Sequence, residues 1–186
     1  MKIPIQIALE SAALTLGSAV LFASFFQFNG WLFADWAYRE NVSWVFLPAG
    51  FRIILVLVLG LPGSLGIALG TWYLDRELLS TGTTWLVMLN GVVSGFTPYV
   101  VMKVMGKGKS SDQLMQELTT HRLLNCTLIF SAANSVAHQL VWALHQGPTV
   151  NILVDVWPMF IGDTLGALLM LYGLKLVLSR LHIKQV

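Results

Sequence analysis

The chain has 186 residues, of which 56% are hydrophobic and 11% are charged, and its formal net charge is +2. This apolar fraction exceeds what the interior of a soluble domain of that size can bury, so the composition predicts a membrane protein. The small net charge, without a basic stripe interleaved with aromatic residues, excludes nucleic acid as a partner. The single cysteine, Cys126, excludes an intrachain disulfide and any cysteine-based zinc or iron–sulfur centre.

Apolar segments separated by short polar breaks predict an all-α fold, a polytopic bundle of about six transmembrane helices that forms one integral membrane domain over residues 1–186. Aromatic residues between the first two segments are typical of an interfacial belt. Residues 61–64 combine proline with glycine and predict a tight turn. In chain order the predicted spans are 7–28, 43–60, a third from that turn to Leu74, 83–102, 123–144 and 150–179.

The sixth predicted span is too long for one straight crossing, because a helix rises about 1.5 Å per residue and the hydrocarbon core is about 30 Å thick. We therefore expect Pro158 and Gly162 to break it into an interfacial helix and a spanning helix. In the third span, Gly66 and Gly70 form a small-residue face, which predicts close packing against another helix.

Basic residues predict the orientation of the chain in the membrane. They concentrate before the first span, between the fourth and fifth spans and after the sixth, whereas the opposite face carries only Arg39 and Arg76. The positive-inside rule therefore places both termini and the segment 103–122 in the cytoplasm, in a multi-pass protein of a bacterial inner membrane. The residues that decide this orientation are Lys2, Lys103, Lys107, Lys109, Arg122, Arg180 and Lys184.

Two charged residues lie inside apolar segments, Arg52 in the second predicted span and Asp163 in the sixth. An unpaired guanidinium in hydrocarbon costs at least about 2.5–3.5 kcal/mol, so Arg52 is expected to face the protein interior and to find a partner there. Asp163 is the obvious partner. The pair predicts either a ligand or ion site, or a buried contact that only fixes the register of two helices.

Three further polar side chains, Asn90, Asn134 and His138, fall at a similar depth in the outer half of the membrane. Asn134 and His138 belong to a polar stripe whose members repeat at offsets of three and four along the fifth span. A histidine that is hydrogen-bonded to a neighbouring helix in a filled core is the competing interpretation. The predicted ligand-binding site, open toward the outer face, consists of Arg52, Asp163, His138, Asn134 and Asn90.

The sequence does not predict an enzyme. Ser135 and His138 share one polar stripe, and helical spacing alone does not make a nucleophile and its base. No nucleotide-binding loop is recognisable. His138 and Asp163 could ligate a metal, but no third ligand is evident, so we assign no catalytic residue and no metal ligand and identify no cofactor.

Two segments resemble a known family. Phe46-Leu-Pro-Ala-Gly-Phe-Arg52 with Leu59-Gly60, and Gly162-Asp-Thr-Leu-Gly166, are similar to bacterial integral-membrane sensor domains of the first described membrane-associated type. Such domains usually precede diguanylate cyclase or histidine kinase modules, so the resemblance implies a multi-helix sensory domain. The residues that carry it are Pro48, Gly50, Arg52, Gly162, Asp163 and Gly166.

This chain departs from that family in its length. It is shorter than the usual domain by about a pair of helices, and it ends at Val186 without an output module. We therefore expect a stand-alone, shortened sensory or ligand-binding module that signals through a separate protein.

Two other functions fit six spans in a chain of this length. The first is substrate capture. The chain resembles the substrate-capture subunits of energy-coupling-factor transporters, and Ala19-Val-Leu-Phe-Ala23 is similar to the small-residue docking face on their first helix. A structural subunit of a larger membrane complex is the third interpretation. All three imply the lipid bilayer and a protein in the membrane or cytoplasm as partners.

Overall fold

The computed structural model describes residues 4–39, 42–106, 119–146 and 151–182. Within these ranges the chain forms six α-helices, and one of them coincides with each predicted span. The helices are α1 Pro4–Leu32, α2 Leu47–Leu59, α3 Leu61–Leu74, α4 Thr84–Met105, α5 Thr120–Gln146 and α6 Ile152–His182. Between α1 and α2 lie a 3-10 helix, Ala34–Trp36, and an antiparallel hairpin of the strands β1 Ala37–Arg39 and β2 Val42–Ser43, and a second 3-10 helix, Asp75–Thr81, follows α3.

Three helical segments are long and apolar enough to cross a membrane: Pro4–Leu32, Thr84–Met105 and Ile152–Leu176. The other three predicted spans are not long and apolar enough to cross a membrane, for two physical reasons. The helices α2 and α3 have 13 and 14 residues, which is about 20 Å of helix each against a hydrocarbon core of about 30 Å. Helix α5 has 27 residues but is less apolar, because its buried face carries the polar stripe that contains Asn134 and His138.

Exposed aromatic residues surround the end of the bundle that carries the β1–β2 hairpin, here called the hairpin end. Helix α2 begins at this end, α3 and α5 finish there, and α4 and α6 begin there. An aromatic belt is typical of a membrane–water interface, so this ring agrees with membrane association. The exposed aromatic residues are Trp31, Trp36, Tyr38, Trp44, Tyr73, Trp85 and Trp157.

The predicted position of the turn between α2 and α3 is wrong, because residues 61–64 form the first turn of α3. The turn is shorter than predicted. It consists of Gly60, whose φ of 61° is a conformation that glycine adopts without steric cost. Pro62 lies in the first turn of α3, where its missing N–H has no helical partner to lose.

Helix α6 is continuous over 31 residues, so the predicted break at Pro158 and Gly162 is wrong. Pro158 removes one backbone hydrogen bond, and a helix packed inside a protein tolerates this loss because neighbouring groups can satisfy the freed carbonyl. Gly162 does not bend the helix. Its lack of a side chain lets the Ser43 carbonyl pack against the helix.

Helix α2 occupies the centre of the bundle although it is short. It packs against α1, α3, α4 and α6, and eight of its 13 residues are buried. Ala49 and Ile53 belong to an apolar cluster shared with α5 and α6, while Leu55 and Val56 belong to a second cluster shared with α1 and α3. Burial on several sides explains why this segment is apolar almost throughout.

The small-residue face of α3 packs on α1, as predicted. A β-carbon on Gly66 would lie 2.6 Å from the Thr15 carbonyl oxygen, and one on Gly70 would lie 2.9 Å from the Ala19 carbonyl oxygen. Only glycine allows the two backbones to approach this closely.

The segments 46–52 and 162–166 pack directly on each other. The Phe46 N–H donates to the Gly162 carbonyl at 3.0 Å, and Gly166 lies against the Phe46 carbonyl. A β-carbon on Gly50 would lie 2.6 Å from the Met170 Cβ. These glycines let the first turns of α2 rest on α6, which brings the segments of Arg52 and Asp163 together.

Gly166→Ala should therefore destabilise the fold. The new methyl group would overlap the Phe46 backbone, and overpacking of this kind costs about 1–3 kcal/mol. Gly173→Ala on the same helix is the matched control, because nothing lies within 4 Å of its added β-carbon and the better helix propensity of alanine should leave stability unchanged or raised by up to about 1 kcal/mol. Thermal unfolding in detergent measures both, and equal midpoints for the two variants would contradict the packing argument.

Candidate functional site

The buried Arg52 lies in the second turn of α2, and its position depends on how that helix begins. The first helical N–H groups have no partner within the helix. The Leu47 N–H instead donates to Asn29 Oδ1 of α1 at 3.0 Å, and the Phe46 N–H bonds to α6. Two neighbouring helices thus fix the start of α2, and with it the depth and direction of Arg52.

The Arg52 side chain is 4% exposed and lies between two aromatic rings. Its Cζ is 5.3 Å from the ring centroid of Phe22 and 5.4 Å from that of Phe46. A guanidinium that is removed from water gains about 2 kcal/mol from such a contact. The rings hold the guanidinium in the interior but leave its N–H groups in need of acceptors.

Asn134 joins Arg52 to Asp163. Arg52 Nη1 donates to Asn134 Oδ1 at 3.3 Å, and Asn134 Nδ2 donates to Asp163 Oδ2 at 2.6 Å. The sequence predicted that the two charges contact each other or one shared ligand, and in the structure Asn134 links them. An amide can form the bridge because it donates through nitrogen and accepts through oxygen at the same time.

A second set of polar contacts lies across the bundle. The hydroxyl of Ser94 and Nε2 of His138 share a hydrogen bond of 3.3 Å. Asn90 Nδ2 donates to Asp75 Oδ2 at 3.1 Å. These contacts join α4 to α5 and to the end of α3. His138 here, like Asn134 in the bridge, therefore bonds a side chain of another helix and not merely a backbone carbonyl.

Four of the five predicted residues line one cavity of about 50 Å³ near the hairpin end: Arg52, Asn90, His138 and Asp163. The fifth, Asn134, is fully buried and bridges two of the lining residues. Sequence reasoning missed four polar residues of the wall, Ser43, Thr71, Asp75 and Ser94. Helical spacing offered a signal for two of them, since Ser94 follows Asn90 by four residues and Thr71 precedes Asp75 by four.

Several buried polar atoms at this cavity have no hydrogen-bond partner among the described residues. They are Arg52 Nε, Asn90 Oδ1 and His138 Nδ1. A buried polar atom without a partner costs about 1–3 kcal/mol. These three atoms belong to residues that line this one cavity, so a water molecule or ligand there is one possible source of the missing hydrogen bonds.

Comparison with known protein families, with curated proteins and with solved structures finds no match for this chain. Its function is therefore inferred from the cavity and the residues around it.

Asn134→Leu should destabilise the bundle by about 3–5 kcal/mol, because it leaves the buried Arg52 and Asp163 without their shared partner. Asn125→Leu is the matched control, since Asn125 lies on the same helix and is exposed, where substitutions usually change stability by less than about 0.5 kcal/mol. Unfolding by sodium dodecyl sulfate in mixed micelles measures both free energies. If the two variants are equally stable, the bridge does not hold the helices together.

Proposed function

We propose that this protein is a membrane-embedded sensory module, in which the polar cavity binds a small ligand and the signal passes to a separate partner protein. The observation that carries the proposal is the convergence of buried charged and amide groups from α2, α4, α5 and α6 on one cavity. Ionisable groups at membrane depth are costly, and where they occur they usually mark a binding site or a pathway.

The volume of the cavity favours a small ligand. Sites for drug-sized molecules measure about 300–1,000 Å³, whereas this cavity measures about 50 Å³. A water molecule needs roughly 10–15 Å³ by the same kind of measure, so the space suits an ion or a few waters. In this conformation the polar cavity is therefore too small for a vitamin-sized substrate.

Helix α6 is the element suited to carry the signal. Asp163 lies near the hairpin end, and the helix continues without a break to His182, a distance of about 28 Å at 1.5 Å per residue. A ligand that changes the bonds of Arg52 or Asp163 therefore acts on a rigid rod that reaches the opposite end of the bundle. Coupling between distant sites needs such a contiguous element.

The proposed orientation places both termini in the cytoplasm of a bacterial inner membrane, with the cavity facing outward. Within the described residues, Lys103, Arg122 and Arg180 lie far from the hairpin end, as the positive-inside rule requires. Further basic residues in this prediction, Lys2, Lys107, Lys109 and Lys184, lie outside the described residues.

Reporter fusions test the orientation. A fusion after Val186 should report the cytoplasm and one within residues 147–151 should report the outer side, because α6 separates these positions. A fusion within 107–118 provides the internal control and should agree with the one at Val186. The same side for 147–151 and Val186 would rule out the proposed orientation.

Native mass spectrometry after gentle detergent extraction tests the function. The unaltered protein should retain a small ligand together with a kinase, a cyclase or a similar output protein. His138→Ala should lose the ligand and keep the partner, because His138 lines the cavity. His145→Ala is the matched control, since His145 lies on the same helix and is exposed.

Two other outcomes would contradict the sensory function. Recovery with the ATPase core of a transporter would support substrate capture, and a fixed multisubunit assembly in which neither histidine variant changes any bound molecule would support a structural subunit.

A further inference from the structure

One wall of the cavity is built from oxygen-bearing side chains on two antiparallel helices. Thr71 lies on α3, and Asp75 is the first residue after that helix. Asn90 and Ser94 lie on α4. All four residues line the cavity. Residues four apart on a helix point to the same side, so each pair presents two oxygens in line. Gly95 packs against the Ser64 carbonyl of α3, which brings the two pairs face to face.

The Asn90 amide oxygen has no hydrogen-bond donor among the described residues. The Asn90 Nδ2 donates to the Asp75 carboxylate at 3.1 Å, and because a carboxylate only accepts, the amide nitrogen must face Asp75. Its Oδ1 is then directed elsewhere, and it is buried without a donor among the described residues. Thr71 donates its hydroxyl proton to the Ile67 carbonyl at 2.9 Å, so the lone pairs of this hydroxyl oxygen remain available to a ligand.

The charges around the cavity sum to −1. Asp75 and Asp163 contribute two negative charges, Arg52 contributes one positive charge, and His138 is counted as neutral. The carboxyl end of α3 also faces this side, and the negative end of a helix dipole favours a cation. In a site of low dielectric constant a monovalent cation would neutralise the sum, whereas an anion would raise the imbalance and a divalent cation would reverse it.

We propose that the cavity binds a small monovalent cation, with oxygen ligands from Thr71, Asp75, Asn90 and Ser94. Carboxylate, amide and hydroxyl oxygens are the ligands that hard cations prefer, and helix carboxyl ends hold Na⁺ in other membrane proteins. The proposal rests on the proposed function, because it names the class of ligand for the same cavity. The protein then responds to the ion on the outer side of the membrane.

Sodium binding to the purified full-length protein tests the proposal. Sodium chloride replaces N-methyl-D-glucamine chloride at constant ionic strength, and the unfolding temperature and the binding of radioactive Na⁺ are measured. We expect the unfolding temperature to rise with sodium concentration to a plateau, with a single saturable site. Parallel titrations with lithium, potassium and ammonium identify which monovalent cation binds best.

Matched variants locate the site. Asp75→Asn and Thr71→Val should weaken binding by at least about tenfold. The controls are Asp35→Asn, which alters an exposed carboxylate, and Thr15→Val, which removes the same intrahelical bond of 2.9 Å outside the cavity; both should bind as the unaltered protein does. Ser94→Ala is a further test if Asp75→Asn does not fold.

Three results would overturn the cation proposal: an unfolding temperature that no monovalent cation changes, unaltered binding by the Asp75 and Thr71 variants, or an effect of calcium alone. If no cation acts but mass spectrometry finds an organic molecule that His138→Ala loses, the cation proposal fails and the sensory function stands. If neither a cation nor any other ligand binds, both fail.

Discussion

The burial of the Arg52 guanidinium constrains the rest of this structure. A charge at membrane depth must be surrounded by protein and given acceptors, or the helix that carries it will not stay in the bundle. Here the rings of Phe22 and Phe46 enclose it, and Asn134 connects it to Asp163. Because these contacts come from three other helices, α1, α5 and α6, and from the residue that precedes α2, the charge determines how those helices are arranged around α2.

Close backbone packing makes the arrangement possible. The bridge through a single asparagine requires α2 and α6 to be near each other, and the glycines at 50, 162 and 166 provide that proximity. The charged residues and the glycines of these two helices therefore have different roles. Arg52 and Asp163 supply charge, while the glycines remove the side chains that would keep the two charges apart.

Much of the helix content could be predicted from hydropathy, and the depth of the polar residues could be predicted from their distance to the span ends. Depth placed Arg52, Asn90, His138 and Asp163 at one level, and all four line one cavity. Depth does not say which helices are neighbours. This is why Asn134 was not predicted to lie between Arg52 and Asp163, and why Asp75, at the edge of its segment, was overlooked.

The polar groups at the cavity differ in how well they are satisfied, and this difference separates structure from function. The Arg52–Asn134–Asp163 bridge has the properties of a contact that fixes helix register, since each member bonds the next. Asn90 of α4 and His138, one turn from Asn134 on α5, each keep one buried atom without a partner among the described residues, Oδ1 and Nδ1. The bridge holds the helices, and under the proposed function the unpartnered atoms of Arg52, Asn90 and His138 are the ones that a ligand would bind. Arg52 belongs to both, because its Nη1 completes the bridge while its Nε has no partner there, so a ligand bound at the cavity can act on the same side chain that positions α2.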